Sequence, residues 1–171
     1  MDDSVNAQTR GNRQIIDSFD REFARLHVSS RAVIESTADE ILYSVPPSTG
    51  IGSLRSVGES VLRCAAAIEQ TFGGITSNLW DDPFEWTLPE HLSTPAKVSE
   101  HLIEVEKTRK TAFGSFVDDT CLTKQVALPT GETRPLIDLL LDTLLHATDY
   151  QAQAVVALKI LSRISPHGFI I

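Results

Sequence analysis

The sequence predicts an all-α fold, a four-helix bundle. Four long segments carry apolar residues at spacings of three and four, the mark of a helix with one buried face. Proline and glycine punctuation divides these segments, and no convincing period-2 alternation lies between them. The 171 residues suit one domain, 1–171. A chain of that length hides roughly 70% of the surface its unfolded form exposes and needs no staples.

The first block runs from about Asp17 to Ser44, with Phe19, Phe23, Leu26, Ala32, Val33, Ala38, Ile41 and Leu42 as its apolar series. Pro46-Pro47 is expected to end it, because proline cannot supply the N–H that a continuing helix requires. The second block, about Ser53 to Phe72, places Leu54, Val57, Val61, Leu62, Ala65, Ile68 and Phe72 inward. Gly73-Gly74 is expected to close it, since glycine takes the left-handed conformation of helix ends without steric cost. The connection Ile75 to Ser93 holds both tryptophans, in Leu79-Trp80-Asp81-Asp82-Pro83-Phe84-Glu85-Trp86. Its aromatic rings are expected to plug one end of the core.

Thr94-Pro95 opens the third block as N-cap and first-turn residue. It extends to about Phe116, with Val98, Leu102, Val105, Ala112, Phe113 and Phe116 buried and Glu104, Glu106, Lys107 and Lys110 wet. A Glu106–Lys110 pair adds i,i+4 support. Between Asp118 and Gly131 the residues read as a short extended piece and a turn. The fourth block, about Thr133 to Arg163, is apolar over much of its circumference, from Leu136 and Leu140 through Leu141, Leu144 and Leu145 to Val156 and Leu161. Such an element belongs in the middle of a bundle.

Charge and composition narrow the function. Fifteen basic against twenty-three acidic residues give a net charge of −8, which argues against nucleic acid as a partner. Lys107-Thr108-Arg109-Lys110 is the only basic cluster and is too small for that role. No apolar run reaches the ~18 residues of a membrane span, and Met1-Asp2-Asp3-Ser4 lacks the basic and apolar regions of a signal peptide. Cys64 and Cys121 show no metal-ligand or disulfide spacing, as buried thiols of a reducing compartment would. The reading is cytoplasmic, with neither membrane nor nucleic acid as partner.

The chemistry gathers on two polar stripes. On the fourth block Leu139, Thr143, His146, Tyr150 and Gln153 share one face, and His146 and Tyr150 form an i,i+4 pair able to meet at one point. On the second block Ser56, Glu59 or Ser60, Arg63, Ala67 and Gln70 do the same. Polar stripes on otherwise apolar helices are how bundles build internal sites. The plainer alternatives are a hydrogen-bonded His146, an Arg63 snorkelling to water and a Tyr150 packed with its polar end outward. His27, His91, His101 and His167 occur singly and read as surface or cap residues. Cys64 beside Arg63 could be an activated thiol; an inert buried cysteine is the competing reading. No phosphate cradle or nucleophile elbow of the usual pattern occurs.

Two segments carry a resemblance. Ser56-Val57-Gly58-Glu59-Ser60-Val61-Leu62-Arg63-Cys64-Ala65 resembles the second-helix motif S-x-G-E-x-L-x-H-I-A of the DinB-like (DinB/YfiT) superfamily. Leu144-Leu145-His146-Ala147-Thr148-Asp149-Tyr150-Gln151-Ala152-Gln153 resembles its last-helix motif, H-x-x-x-H-R-G-Q. The resemblance runs from the first helix to the fourth. It implies an up-down-down-up bundle in which the Ile75–Ser93 connection crosses between parallel neighbours. It also implies a pocket where three histidines hold a divalent metal such as nickel or zinc.

In this chain those ligand positions fall on Arg63, His146 and Tyr150, and only one is histidine. A guanidinium has no lone pair to give. Its charge opposes a dication as well, by about 4 kcal/mol per unit-charge pair at 4 Å and an effective dielectric of 20, doubled for a double charge. No metal is therefore expected at the family site.

Three functions compete. One is a metal-free binding module whose pocket takes a small, anionic ligand beside Arg63, His146 and Tyr150. Another, which the resemblance implies, is a metal-dependent or thiol-dependent transferase or hydrolase; in this chain His146 as general base and Tyr150 as proton donor would need no metal. The third is structural: a homodimer through a bundle face, with the apolar tail Phe169-Ile170-Ile171 seeking a partner surface.

Overall fold

Apolar periodicity marks out each helix, and side-chain caps at Ser56 and Thr94 fix the starts of two of them. The structure is a computed structural model that describes residues 12–47, 54–87 and 89–164. It is mostly helical, with four long helices and one small two-stranded sheet. The helices are α1 (Gln14–Glu35), α2 (Val57–Ser77), α3 (Pro95–Ser115) and α4 (Leu136–Ile164). Strands β1 (Gln125–Ala127) and β2 (Thr133–Pro135) pair antiparallel between α3 and α4, with Val126 opposite Arg134. No helix among the described residues is long and apolar enough to cross a membrane.

Helix α1 buries Ile16, Phe19, Phe23, Leu26, Val33 and Ile34. The Asp119 carboxylate, from a distant turn, accepts the N–H groups of Ile15 at 3.1 Å and Ile16 at 3.0 Å, satisfying donors that every helix start leaves without partners. The helix stops at Glu35, well before Pro46-Pro47. The buried Thr37 hydroxyl donates to the Val33 carbonyl at 2.7 Å while the Thr37 N–H turns to Ile34 at 3.0 Å, so the side chain takes the acceptor that the next helical bond would need. The chain then turns through a 3-10 segment, Asp39–Ile41, and sinks Leu42 into the core.

In α2 the Ser56 hydroxyl caps the N-terminus by accepting the Glu59 N–H at 3.1 Å, a capping-box sequence. Gly73 and Gly74 do not close the helix. It runs on to Ser77, and Asn78, at φ 54°, supplies the left-handed cap. Gly74 is glycine for a different reason: a Cβ there would lie 2.4 Å from the Trp80 ring. The connection thus lays Trp80 across α2, half-buried, whereas Trp86 is 76% exposed. The expectation that both rings would plug the core therefore fails for Trp86.

Helix α3 is capped by Thr94, which accepts the Lys97 N–H. All six apolar residues expected inward are buried. Glu106, expected on the wet side, is buried too, because it pairs with Arg109. Helix α4 is not enclosed by the others. Leu141, Leu145 and Val156 are exposed, so its broad apolar circumference comprises a core stripe and a second, outward one.

Side-chain contacts give the helix directions. Phe23 of α1 meets Phe72 of α2 edge-on at 5.2 Å, and Phe72 meets Phe113 of α3 at 5.3 Å. Ser30 lies 3.8 Å from Cys64, Arg13 donates to the Phe113 carbonyl, and Arg109 pairs with Asp20. Arg55, before α2, bonds Gln153 late in α4, while Thr71 late in α2 bonds Thr143 early in α4.

Candidate functional site

Helix α2 and helix α4 run antiparallel, which sets their polar stripes face to face. Arg63, Ala66, Ala67 and Gln70 of α2 line a cleft of about 200 Å³ opposite His146 and Tyr150 of α4. The connection between α2 and α3 contributes Asp82 and Phe84 at the mouth. The three residues singled out in the sequence thus share one cavity wall system. Thin residues at 66 and 67 leave the space that a larger pair would fill.

Arg63 is fixed from two sides. Its Nε donates to Glu59 Oε1 at 3.0 Å, one turn back on α2. Its guanidinium carbon sits 4.0 Å from the centre of the Phe84 ring, within cation–π range. Neither Nη group donates a hydrogen bond among the described residues, and the side chain keeps 30% exposure. Glu59 also meets Arg55 Nε at 3.3 Å. Two guanidinium groups on one carboxylate leave a positive surplus along this wall. Arg55 reaches further, donating to Gln153 Oε1 at 2.9 Å and lying 5.6 Å from the Tyr150 ring centre.

The mouth is held by backbone bonds. Asp82 caps the 3-10 segment Pro83–Trp86, its Oδ1 accepting the Phe84 N–H at 2.9 Å. Gln70 Nε2 donates to the Trp80 carbonyl at 2.7 Å. A carbonyl only accepts, so this bond fixes the amide orientation and leaves Gln70 Oε1 as a free acceptor. Asp82 and Phe84 were not singled out as site residues in the sequence. The Asp-Pro pair signals the turn, but only the path of the connection across Gly74 brings that turn over Arg63.

Several other candidates lie elsewhere. Asp149 is exposed and accepts from Gln153 Nε2 at 2.9 Å, away from the cleft. The Cys64 thiol is buried beside Ser30, and burial pushes its pKa up to about 11, so the activated-thiol reading fails. His101 is not a surface residue: its Nε2 is buried 3.9 Å from Glu69 Oε2, and neither atom has a hydrogen-bond partner. His27 is half-buried. His167 and the tail Phe169 to Ile171 lie outside the described residues.

The donor set does not fit a divalent metal. Arg63 offers only N–H groups and a fixed positive charge, and the cleft brings one imidazole and one phenol to it. Among the described residues no three His, Cys, Asp or Glu side chains come close enough together to hold a metal ion. A larger concavity, about 690 Å³, runs between α1 and α4 past Ala24, Val28, Ala32, Leu144 and Thr148. Its polar groups are spent on one another, Gln151 Nε2 donating to Ser29 Oγ at 2.6 Å and Arg25 to Glu22 at 2.9 Å, whereas in the smaller cleft the Arg63 Nη groups have no partner among the described residues.

Comparison with protein-family models, with curated proteins and with solved structures found no match.

Proposed function

We propose that the chain is a DinB-like four-helix bundle of up-down-down-up course whose pocket binds a small anionic molecule, without metal, beside Arg63, His146 and Tyr150. The observation that carries this reading is the state of Arg63. Its guanidinium is oriented by Glu59 and Phe84, it lines a cleft shared with His146, and neither Nη group has a hydrogen-bond partner among the described residues. An anchored guanidinium with unspent donors suits a carboxylate or phosphate, which it can bind through two parallel bonds. The bundle course is supported by the contacts of Phe23 with Phe72, Asp20 with Arg109 and Thr71 with Thr143, which make α1 antiparallel to α2 and α3, and α4 antiparallel to α2.

Isothermal titration of the full chain with acetate and with inorganic phosphate tests the reading. Wild type is expected to bind at least one of them, and Arg63→Gln to lose the affinity by about ten-fold or more, as loss of a charge-assisted pair requires. Equal binding by both proteins would overturn it. The enzymatic alternative asks more of the site, since His146 has no orienting hydrogen bond among the described residues.

A homodimer through the α1–α4 face is the second reading. Val28, 66% exposed, and Leu144 line the groove there, and the outward side of α4 beside Leu144 carries the exposed Leu141 and Leu145. The charged residues of this groove, Glu22 and Arg25, pair with each other. On a chain of net charge −8 this face can therefore meet its own copy without like-charge repulsion. Leu145→Glu is expected to halve the mass found by sedimentation; a monomeric wild type would remove the reading.

A further inference from the structure

We infer that the ligand whose carboxylate meets Arg63 also carries an ammonium group, in the manner of an α-amino acid, so that the cleft prefers a small zwitterion over a molecule with the carboxylate alone. The inference rests on the proposed reading of the cleft as a ligand site and adds what the ligand's second group must be. The cleft offers both donors and acceptors. The helix side gives donors: the two Nη groups of Arg63 and the Tyr150 hydroxyl, with His146 beside them. The mouth and the end of the α2 wall give acceptors: the Asp82 carboxylate and Gln70 Oε1.

Asp82 and Arg63 line the same space but do not form an ion pair with each other, and Asp82 pairs with no other cation among the described residues. Its Oδ1 is occupied by the Phe84 N–H, which orients the carboxylate, and no described residue donates to Oδ2. Two opposite charges in one cleft, each oriented and neither neutralised by the other, disfavour any ligand of a single charge. A lone carboxylate gains Arg63 but meets the Asp82 charge. A lone ammonium gains Asp82 and meets the surplus of Arg55 and Arg63 over Glu59. A zwitterion satisfies both charges at once.

Size agrees with this class. About 200 Å³ falls below the about 300–1,000 Å³ of pockets for drug-sized ligands, so the ligand is a small metabolite or the exposed end of a larger one. The Ala66 and Ala67 methyls and the free edge of the Phe84 ring offer an apolar bed for a short carbon skeleton.

The test is titration calorimetry of the full chain with L-alanine and L-serine, set against propionate and ethylammonium, in wild type, Asp82→Asn and Arg63→Gln. Asparagine still accepts the Phe84 N–H, so Asp82→Asn removes the charge and keeps the turn. An amino acid is expected to bind wild type about ten-fold or more tighter than either singly charged probe, as a second charge-assisted bond would give. Asp82→Asn is expected to erase that preference while leaving propionate binding equal or stronger, and Arg63→Gln to weaken the amino acid and propionate alike. Propionate bound as tightly as the amino acids, or a preference unchanged in Asp82→Asn, would overturn the zwitterion and leave the anion site standing. No binding of any probe, phosphate included, would overturn both.

Discussion

Arg109 is 2% exposed and holds two acidic partners, Glu106 and Asp20. Its Nε and one Nη meet the two Glu106 oxygens at 2.8 Å each, and its other Nη pairs with Asp20 across the α1–α3 contact. Burial alone would raise the Glu106 pKa. The Arg109 hydrogen bonds and charge, with His27 and Lys110, outweigh it and hold the carboxyl below the usual value. Removing Arg109 leaves the nearly buried Glu106 carboxylate without its two hydrogen bonds and with only Lys110, at 3.4 Å, to offset its charge. Arg109→Met is therefore expected to destabilise the fold by about 3–5 kcal/mol, and the double change Arg109→Met/Glu106→Leu to recover most of that loss. Urea denaturation of the single and double variants measures it; equal losses in both would contradict the pairing. In sequence, Arg109 sits within Lys-Thr-Arg-Lys and resembles a solvated charge. Nothing local marks it as buried, because its main partners lie one turn back and on another helix. Arg63, His146 and Tyr150 were legible for the opposite reason: helical spacing alone puts them on facing stripes.

Helix existence was legible in every block, and helix ends less so. Proline and glycine signal stops in sequence, but α1 ends about ten residues before Pro46 and α2 passes through Gly73-Gly74 to Ser77, with Asn78 as its cap. The deciding forces are tertiary: Leu42 must reach the core, and Trp80 needs the space a side chain at 74 would fill. Gly74→Ala separates these explanations. Alanine in a helix interior would gain about 1 kcal/mol over glycine, yet displacing a packed ring costs about 1–3 kcal/mol. The expected net result is a lower Tm, red-shifted tryptophan emission and weaker ligand binding, since the Trp80 carbonyl positions Gln70 and the following turn carries Asp82. A higher Tm with unchanged emission would mean that the glycine serves the helix end after all. The same tertiary reasoning accounts for α4, whose outward stripe of Leu141 and Leu145 cannot be told from a core stripe by hydrophobicity alone.

At the scale of the whole molecule, two imidazoles couple stability to pH. Burial lowers the pKa of His27 against the opposing pull of Glu106, with Arg31, Lys110 and Arg109 adding to the lowering. Burial lowers His101 likewise, with Glu69 opposing. The unfolded chain, with histidines near 6.5, then binds more protons than the folded one below that pH. Stability contributed by the neutral imidazoles is thus complete above about 6.5 and is lost as pH falls below it. Tm is expected to decline between pH 7 and 5, before the Glu106 contribution is lost at still lower pH, and His27→Gln/His101→Gln to flatten that decline. A Tm that held steady or rose over this range would contradict the burial of both rings.

The proposal that the Arg63 cleft works without a metal is tested most directly by elemental analysis of the full chain, purified without chelator or affinity tag. Arg63→His/Tyr150→His, which places a third and second imidazole beside His146, serves as the comparison. Wild type is expected to carry no stoichiometric nickel, zinc or iron, and the double variant to acquire one equivalent. A stoichiometric transition metal in wild type would contradict the assignment of Arg63 as the cleft's resident cation.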